Sequence, residues 1–280
     1  MKEINVLDIT KAVKDLCIDA NYFLSDDIKN KLKDSKEKET FPIAQDILDK
    51  ILINVDIAKN ERMPMCQDTG MVCIFVDLGQ DVHIVGGSLE DAINEGVRQG
   101  YSEGFLRKSV VKDPLDRVNT KDNTPAVITY NIVKGDKLKI TVAPKGFGSE
   151  NMSALKMLKP ADGVEGVKDF VIETVKKAGP NPCPPIVVGI GIGGTFDKAA
   201  ALAKKSLLRN VEERNSNEFY RNLEEELLEK INALGIGPQG FGGRTTALSV
   251  NIEYYPTHIA GLPVAVNINC HATRHKEIEL

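Results

Sequence analysis

Three of the five cysteines lie in segments that favour turns. Cys66 lies in MPMCQDTG, Cys183 in NPCPP and Cys270 in NINCHATRH. Proline, glycine and polar neighbours at these positions would leave a thiolate accessible as a ligand, whereas a packed cysteine usually lies among apolar residues. Cys17, within a helical pattern, and Cys73, inside the apolar run MVCIFV, have that apolar setting and are expected to be core residues.

The wide spacing of the three turn cysteines limits the kinds of metal site that they could form. It differs from the close CxxC pairs of a zinc ribbon and from the crowded cysteines of a ferredoxin. A cubane [4Fe–4S] cluster held by thiolates from three loops is compatible with it, and one iron would then lack a protein ligand and could act as a Lewis acid. Incidental thiols are the alternative that spacing alone leaves open. An odd, dispersed set of cysteines does not indicate a disulfide framework.

A glycine-rich segment offers a different reading. Gly189-Ile-Gly191-Ile-Gly193-Gly194 satisfies the GxGxxG pattern of dinucleotide-binding proteins. The second strand ending in an acidic residue that should follow about 20 residues later is not evident, because the chain there reads LLRNVEERNSNEF. A closely packed structural turn, or a turn that offers backbone N–H groups to an anion, is the alternative. The same alternatives hold for a second glycine-rich turn, GPQGFGGRTT.

The histidines give weaker signals. His271 and His275 are four residues apart, so a helix would place them on one face as a zinc pair. They lie close to the C-terminus, where chains are often poorly ordered. His258 precedes the last apolar strand, where a hydrogen-bonded structural role is the usual one for a single histidine.

Composition limits the class of protein. The 280 residues are 42% hydrophobic and 27% charged, which is ordinary for a globular protein and excludes collagen, coiled-coil rods and bulk disorder. The net charge of −4 argues against nucleic acid as the main partner. No apolar run approaches the ~20 residues of a membrane helix, and the first residues do not resemble a secretory signal. We therefore expect a cytoplasmic protein with reduced thiols.

Both helices and strands are predicted to position these residues. Residues 1–60 read as a helical N-terminal segment, with an apolar stripe between residues 41 and 57. Residues 61–280 read as a body in which two hairpins, 71–85 and 126–144, alternate with helices, including helices at 150–158 and 164–178 and one opened by a capping box at Ser88. The long polar segment 107–126 reads as an ordered loop. This pattern predicts an α+β fold with mixed or antiparallel sheets flanked by helices, in one domain.

Four motifs together carry a family resemblance. MPMCQDTG, NPCPP, GIGGTFDKAA and NINCHATRH occur in the order found in the class I (iron–sulfur) fumarate hydratases and L-tartrate dehydratases. DPLDRVNTKDNTPA and PKGFGSENMS extend the likeness over nearly the whole chain. The chain specifically resembles the α subunit of the two-subunit form. The resemblance implies a [4Fe–4S] cluster with one iron that lacks a protein thiolate ligand, held by Cys66, Cys183 and Cys270.

The resemblance also implies roles for single residues. Gln67 and Asp68 match residues beside the first cysteine that touch substrate, and Asp68 is placed to exchange a proton with the substrate hydroxyl. Arg107 matches an arginine that binds a substrate carboxylate. Either Gly146 or Gly148 would contact substrate through its backbone. His258 falls where the family has an active-site histidine, so it is a candidate catalytic residue.

The expected reaction is the reversible hydration of fumarate to L-malate. Single-chain members of the family continue into a second domain that supplies a threonine base and further carboxylate-binding residues, so the resemblance implies a β subunit and a higher hetero-oligomer. The substrate would be a small dicarboxylate, with no nucleic acid or membrane as partner. L-Tartrate dehydration to oxaloacetate, a dinucleotide-binding oxidoreductase built on GIGIGG, and a non-catalytic iron–sulfur scaffold are the alternatives.

Overall fold

The computed structural model describes residues 2–280. Within them lie eight α-helices: α1 (Val6–Tyr22), α2 (Asp26–Lys38), α3 (Pro42–Glu61), α4 (Leu89–Glu103), α5 (Phe147–Glu150), α6 (Gly163–Ala178), α7 (Phe196–Ser206) and α8 (Glu218–Asn232). Ten strands accompany them: β1 (Lys2–Asn5), β2 (Met71–Gly79), β3 (Val82–Val85), β4 (Val127–Val133), β5 (Leu138–Lys145), β6 (Ala154–Leu158), β7 (Ile186–Gly193), β8 (Ala247–Tyr255), β9 (Leu262–Asn269) and β10 (Lys276–Glu279). Parallel and antiparallel pairs occur in the same sheets, which confirms the α+β class.

The chain forms two compact units whose segments alternate along the sequence. Unit 1 comprises the described residues up to Leu24 together with Asn54–Phe147 and Arg274–Leu280, and unit 2 comprises Ser25–Ile53 and Gly148–Thr273. That the two act as one domain, divided into a helical segment 1–60 and a body 61–280, stays a prediction.

Unit 1 is built on a four-stranded sheet in the order β10-β5-β2-β4, beside a parallel pair formed by β1 and β3. β2 is central and carries the fully buried Val72 and Ile74. Helices α1 and α4 pack closely because α4 has glycines where they meet; a Cβ at Gly96 would lie 2.7 Å from the carbonyl oxygen of Thr10. Each fully buried Val or Ile side chain stabilises this core by about 1.5–3 kcal/mol.

Unit 2 is built on the sheet β6-β9-β7-β8, with helices on both faces. Alternate residues of β9 face opposite sides: Val264 and Val266 pack in the cluster that includes residues of α6 and α8, while Ala265 packs against Ala199 and Ala203 of α7. The burial of all eight residues of β7 follows from this double cover.

The glycine-rich segment belongs to this packing. Gly189 and Gly191 lie inside β7, and Cβ atoms there would lie 2.3 Å and 2.1 Å from the carbonyl oxygens of Ala203 and Ala199. No L-residue with a Cβ fits such distances, so these glycines permit α7 to lie directly on the strand. The alternative of a closely packed structural segment therefore accounts for both glycines without a dinucleotide.

Several local predictions are confirmed. Ser88 caps α4, its side-chain oxygen accepting a hydrogen bond from the Asp91 N–H at 3.3 Å. The helix predicted at 164–178 is α6, and the segment 107–126 contains no helix or strand among the described residues beyond one isolated bridge between Val111 and Asn119.

Other local predictions are wrong. Neither predicted hairpin forms within residues 2–280, because β3 pairs with β1, and β2 lies between β4 and β5. The short turns suggested that consecutive strands pair with each other. Instead, both edges of the buried β2 pair with strands from further along the chain. The helix predicted at 150–158 is the short α5 followed by β6, which gains backbone partners along the edge of β9. The last residues form β10 on the edge of β5.

The two C-terminal histidines, His271 and His275, do not lie on one face of a helix. His271 lies in a turn, and His275 immediately precedes β10. In residues 2–280, the helices are each too short or too polar to cross a lipid bilayer.

Candidate functional site

The turn between α3 and β2 displays Cys66, Gln67 and Asp68. Glu61 ends the helix and Met71 begins the strand, so the polar triplet lies at the entrance to the buried β2. Gln67 is exposed, while Cys66 and Asp68 are half-buried. The Sγ atom of Cys66 lies 3.5 Å from Oε1 of Gln67. These residues therefore lie at one end of the sheet, and Gln67 is the most exposed of the three.

The Asp68 carboxylate is held in one direction by two backbone N–H groups. Oδ1 accepts a hydrogen bond from Gly70 N at 3.0 Å, and Oδ2 accepts one from Phe147 N at 2.9 Å. A Cβ at Gly146 would lie 3.2 Å from Oδ2, tighter than an ordinary contact, so glycine gives the carboxylate room to reach Phe147. Each carboxylate oxygen keeps a second lone pair.

This contact distinguishes the two glycines considered in PKGFGSE. Gly146 belongs to unit 1 and lies beside Asp68. Gly148 belongs to unit 2, where a Cβ would lie 3.7 Å from the carbonyl oxygen of Asn181. Of these two glycines, Gly146 is thus the one that lies next to a predicted site residue of its own unit.

Arg107 is tied to the same turn through its backbone. The hydroxyl of Thr69 donates a hydrogen bond to the Arg107 carbonyl oxygen at 3.0 Å. The Arg107 side chain is exposed and has no hydrogen bond or ion pair within residues 2–280. Its planar guanidinium is consequently available to a carboxylate.

In unit 2, Cys183 and the segment after Cys270 lie together. Cys183 is exposed, precedes β7 and adopts a left-handed backbone with φ of 55°, which is uncommon for a residue with a Cβ. Its carbonyl oxygen accepts a hydrogen bond from His271 N at 3.2 Å. The half-buried Cys270 directly follows β9, whose residue Asn269 pairs with Val187 of β7. The pairing of these two strands therefore brings two of the predicted ligand segments together.

The second glycine-rich turn contributes a residue that sequence reasoning missed. Gln239 donates hydrogen bonds to the Pro184 carbonyl oxygen from both its backbone N and Nε2, each at 2.8 Å. Nε2 also lies 3.1 Å from Nδ1 of His271, which is 3.0 Å from the Cys183 carbonyl oxygen. Gln239 has a φ of 53°, so the surrounding glycines mark a strained turn that supports the cysteine loop.

His258 lies in the turn between β8 and β9 of unit 2. Its side chain is exposed, and Nδ1 accepts a hydrogen bond from Ala260 N at 3.2 Å. That contact orders the turn.

The five cysteines differ in accessibility as the sequence predicted. Cys17 and Cys73 are buried, and burial raises the pKa of the Cys17 thiol, which disfavours the thiolate needed for ligation. Cys66, Cys183 and Cys270 are half-buried or exposed. This donor set fits a group that binds separate thiolates, since each cysteine of a cubane holds a different iron. Across residues 2–280 no group of three or more His, Cys, Asp or Glu could hold a single metal ion.

Sequence comparison places the chain among known proteins. The family described as "Fumarate hydratase (Fumerase)" matches residues 10–279. A Methanocaldococcus jannaschii protein, provisionally described as L(+)-tartrate dehydratase subunit alpha, is 46% identical over 282 residues, covering 98% of this chain and 99% of the relative. The L(+)-tartrate dehydratase subunit alpha of Escherichia coli strain UTI89 is 35% identical over 255 residues, with 90% and 84% covered, and that of strain K12 is 34% identical with the same coverage. The chain belongs to the fumarate hydratase (fumerase) family and is a hydro-lyase of that family.

Proposed function

We propose that this chain is the cluster-bearing α subunit of a [4Fe–4S]-dependent hydro-lyase that, with a β subunit, reversibly hydrates fumarate to L-malate. The observation that carries the proposal is the meeting of two motifs in unit 1. The Asp68 carboxylate of MPMCQDTG accepts a hydrogen bond from Phe147 N of PKGFGSE at 2.9 Å, so a predicted acid–base group is fixed beside a predicted backbone contact.

Cys66, Cys183 and Cys270 would hold the cluster. Their accessibility supports this set over Cys17 and Cys73, and the hydrogen bond from His271 N to the Cys183 carbonyl oxygen supports the last two as partners. When bound, such a cluster supplies a Lewis-acid position at the iron that lacks a protein thiolate.

Asp68 would exchange a proton with the hydroxyl group that is added or lost. Its two N–H partners fix the carboxylate before substrate arrives, and a group already oriented needs no rearrangement during the reaction. Gln67 is exposed at the same turn and would donate or accept a hydrogen bond at the substrate hydroxyl.

Arg107 would hold one substrate carboxylate with its two-pronged guanidinium. The hydrogen bond from Thr69 to the Arg107 carbonyl couples its position to that of Asp68, so the carboxylate and the reacting hydroxyl would be held in a fixed relation. Gly146 is the favoured backbone contact, and His258 a further catalytic candidate. Removal of the weakly acidic C3 proton would fall to a base on the β subunit, with cationic groups stabilising the developing charge.

L-Tartrate dehydration to oxaloacetate is the second candidate, and the names of the relatives favour it, since those described above are tartrate dehydratase α subunits. The two substrates share a four-carbon dicarboxylate frame, so the same α-subunit groups would serve both. Specificity for tartrate over malate would then depend on which groups bind the additional hydroxyl of tartrate.

The experiment is an anaerobic co-purification of this chain with its β subunit, followed by iron and sulfide analysis and turnover assays on fumarate, L-malate and L-tartrate. The proposal predicts about four irons per α chain and turnover that requires both subunits. A higher kcat/KM for L-tartrate than for L-malate would assign the second candidate. An iron-free complex that is fully active would contradict the cluster.

A further inference from the structure

Three buried side chains hold three consecutive carbonyl groups in the turn that carries Asp68. Arg274 Nη2 donates a hydrogen bond to the carbonyl oxygen of Asp68. The hydroxyl of Tyr101 donates to that of Thr69 at 2.6 Å and also contacts that of Gly70 at 3.1 Å. Asn123 Nδ2 donates to the Gly70 carbonyl oxygen at 3.2 Å. All of these residues belong to unit 1.

The three donors come from separate segments and are almost completely inaccessible. Tyr101 and Asn123 are 0% exposed and Arg274 is 5% exposed. Tyr101 lies in α4, Asn123 lies in the loop between α4 and β4, and Arg274 lies two residues before β10. Burial raises the pKa of Tyr101 well above its ordinary value, so its hydroxyl stays a hydrogen-bond donor.

A neutral donor would be enough to satisfy the Asp68 carbonyl group, yet Arg274 supplies a charged one. Neutral donors serve the adjacent carbonyl groups of Thr69 and Gly70, so stability alone does not call for a cation at Asp68. The Nε atom of Arg274 is buried without a hydrogen-bond partner, and such an unsatisfied donor is destabilising. Costly buried groups of this kind concentrate at functional sites.

We propose that Arg274 is a positioning residue whose guanidinium, by holding the Asp68 carbonyl, fixes the turn at residues 66–70 and so the direction of the Asp68 carboxylate. The inference rests on the proposed role of Asp68 as the acid–base group. Arg274 acts on the main chain of Asp68 while Gly70 and Phe147 hold its carboxylate, so release of the carbonyl lets the turn rotate and loosens both carboxylate contacts.

The test uses the reconstituted αβ complex with Arg274→Gln, Arg274→Lys and the double variant Arg274→Gln with Asp68→Asn. Because a misplacement of about 1 Å can cost 10²-fold in rate, we expect Arg274→Gln to lower kcat by about 10–100-fold, with KM within about threefold and full iron content. Arg274→Lys keeps the charge and a donor group but loses the planar guanidinium, so it should recover part of the loss. The double variant should be no slower than Asp68→Asn alone, because both changes disable one group.

Hydrogen–deuterium exchange of the complex supplies a readout independent of turnover. The amides of Gly70 and Phe147 should exchange about tenfold faster in Arg274→Gln, which corresponds to a loss of about 1.4 kcal/mol of protection. Arg214→Gln is the matched control, since Arg214 also donates to a backbone carbonyl, that of Val211 at 3.2 Å, and it should leave both amides and kcat unchanged. If Arg274→Gln does not assemble, Tyr101→Phe, which removes the hydroxyl that contacts the carbonyl oxygens of Thr69 and Gly70, should give the same faster exchange.

Unchanged exchange in Arg274→Gln, or a double variant slower than Asp68→Asn by the full factor of the single Arg274 change, would overturn the inference. Failure of the proposed function looks different. A wild-type complex inactive on every dicarboxylate would refute the proposed reaction, while the exchange measurement would still decide whether Arg274 holds the turn.

Discussion

Replacing Asp68 with asparagine separates its chemical role from its structural one. The two side chains have the same shape, but the amide has one acceptor oxygen where the carboxylate has two. Asp68 now accepts from Gly70 N at 3.0 Å and from Phe147 N at 2.9 Å, so in Asp68→Asn one of these N–H groups would face an NH2 group. An unsatisfied donor costs about 1–3 kcal/mol when buried, and we take the lower value because the site is only partly buried.

The expected stability loss is therefore small and the activity loss large. A change of about 1 kcal/mol shifts the Tm of a chain of this size by roughly 2–4 °C. Loss of a general acid–base group lowers kcat by about 10²–10⁴-fold. The measurement is anaerobic steady-state kinetics on the reconstituted complex, with calorimetry for Tm and with iron content and the visible absorbance of the cluster as checks on loading.

Asp77→Asn is the matched control. Asp77 lies in the same unit on β2 and accepts a hydrogen bond from Asn131 Nδ2 at 2.9 Å, away from the turn. It should retain wild-type kcat. If Asp68→Asn, with its cluster intact, turned over within about threefold of wild type, Asp68 would be no acid–base group and the reasoning from its orientation would be refuted.

Three further perturbations follow from the described contacts. Gly146→Ala places a methyl group 3.2 Å from Oδ2 of Asp68, so kcat should fall about tenfold with little change in Tm; an unchanged kcat would argue against close fit at this glycine. Gly191→Ala would put a Cβ 2.1 Å from the carbonyl oxygen of Ala199, and overpacking should lower unfolding free energy by about 1–3 kcal/mol or more, read by denaturant titration; a neutral result would contradict the packing of α7. Burial alone would raise the pKa of Glu39, but hydrogen bonds from backbone N–H groups outweigh it and hold that pKa below its usual range. The ionised Glu39 therefore stabilises the fold above the unfolded-state pKa of about 4.3, and this stabilisation is lost as pH falls through the lower folded pKa. Glu39→Gln should make the free energy of unfolding depend less on pH below about 4.3. An unaltered pH dependence would contradict this.

Local signals in the sequence predicted a large part of the fold. The capping box at Ser88 and the helix predicted at 164–178 have causes that lie within a few residues, and both are confirmed. The partner of a strand is decided elsewhere in the chain. β2 pairs with β4 and β5, and neither choice could be read from the short turns that suggested hairpins.

The site shows the same division. The accessibility of Cys66, Cys183 and Cys270 follows from the proline, glycine and polar residues around each, so it was predictable. The supporting residues were not, because Arg274 and Gln239 act on carbonyl groups distant in sequence. An arginine four residues after Cys270 and a glutamine between glycines were visible, but no local pattern showed what they would contact.

The most direct test of the central claim is the Mössbauer spectrum of the ⁵⁷Fe-loaded complex, recorded anaerobically before and after addition of fumarate or L-tartrate. A cluster held by only Cys66, Cys183 and Cys270 predicts that one iron of the four changes its signal when the dicarboxylate binds, while the other three do not. Four irons whose signals are all unaffected by saturating substrate would contradict a substrate-binding iron and, with it, the proposed chemistry.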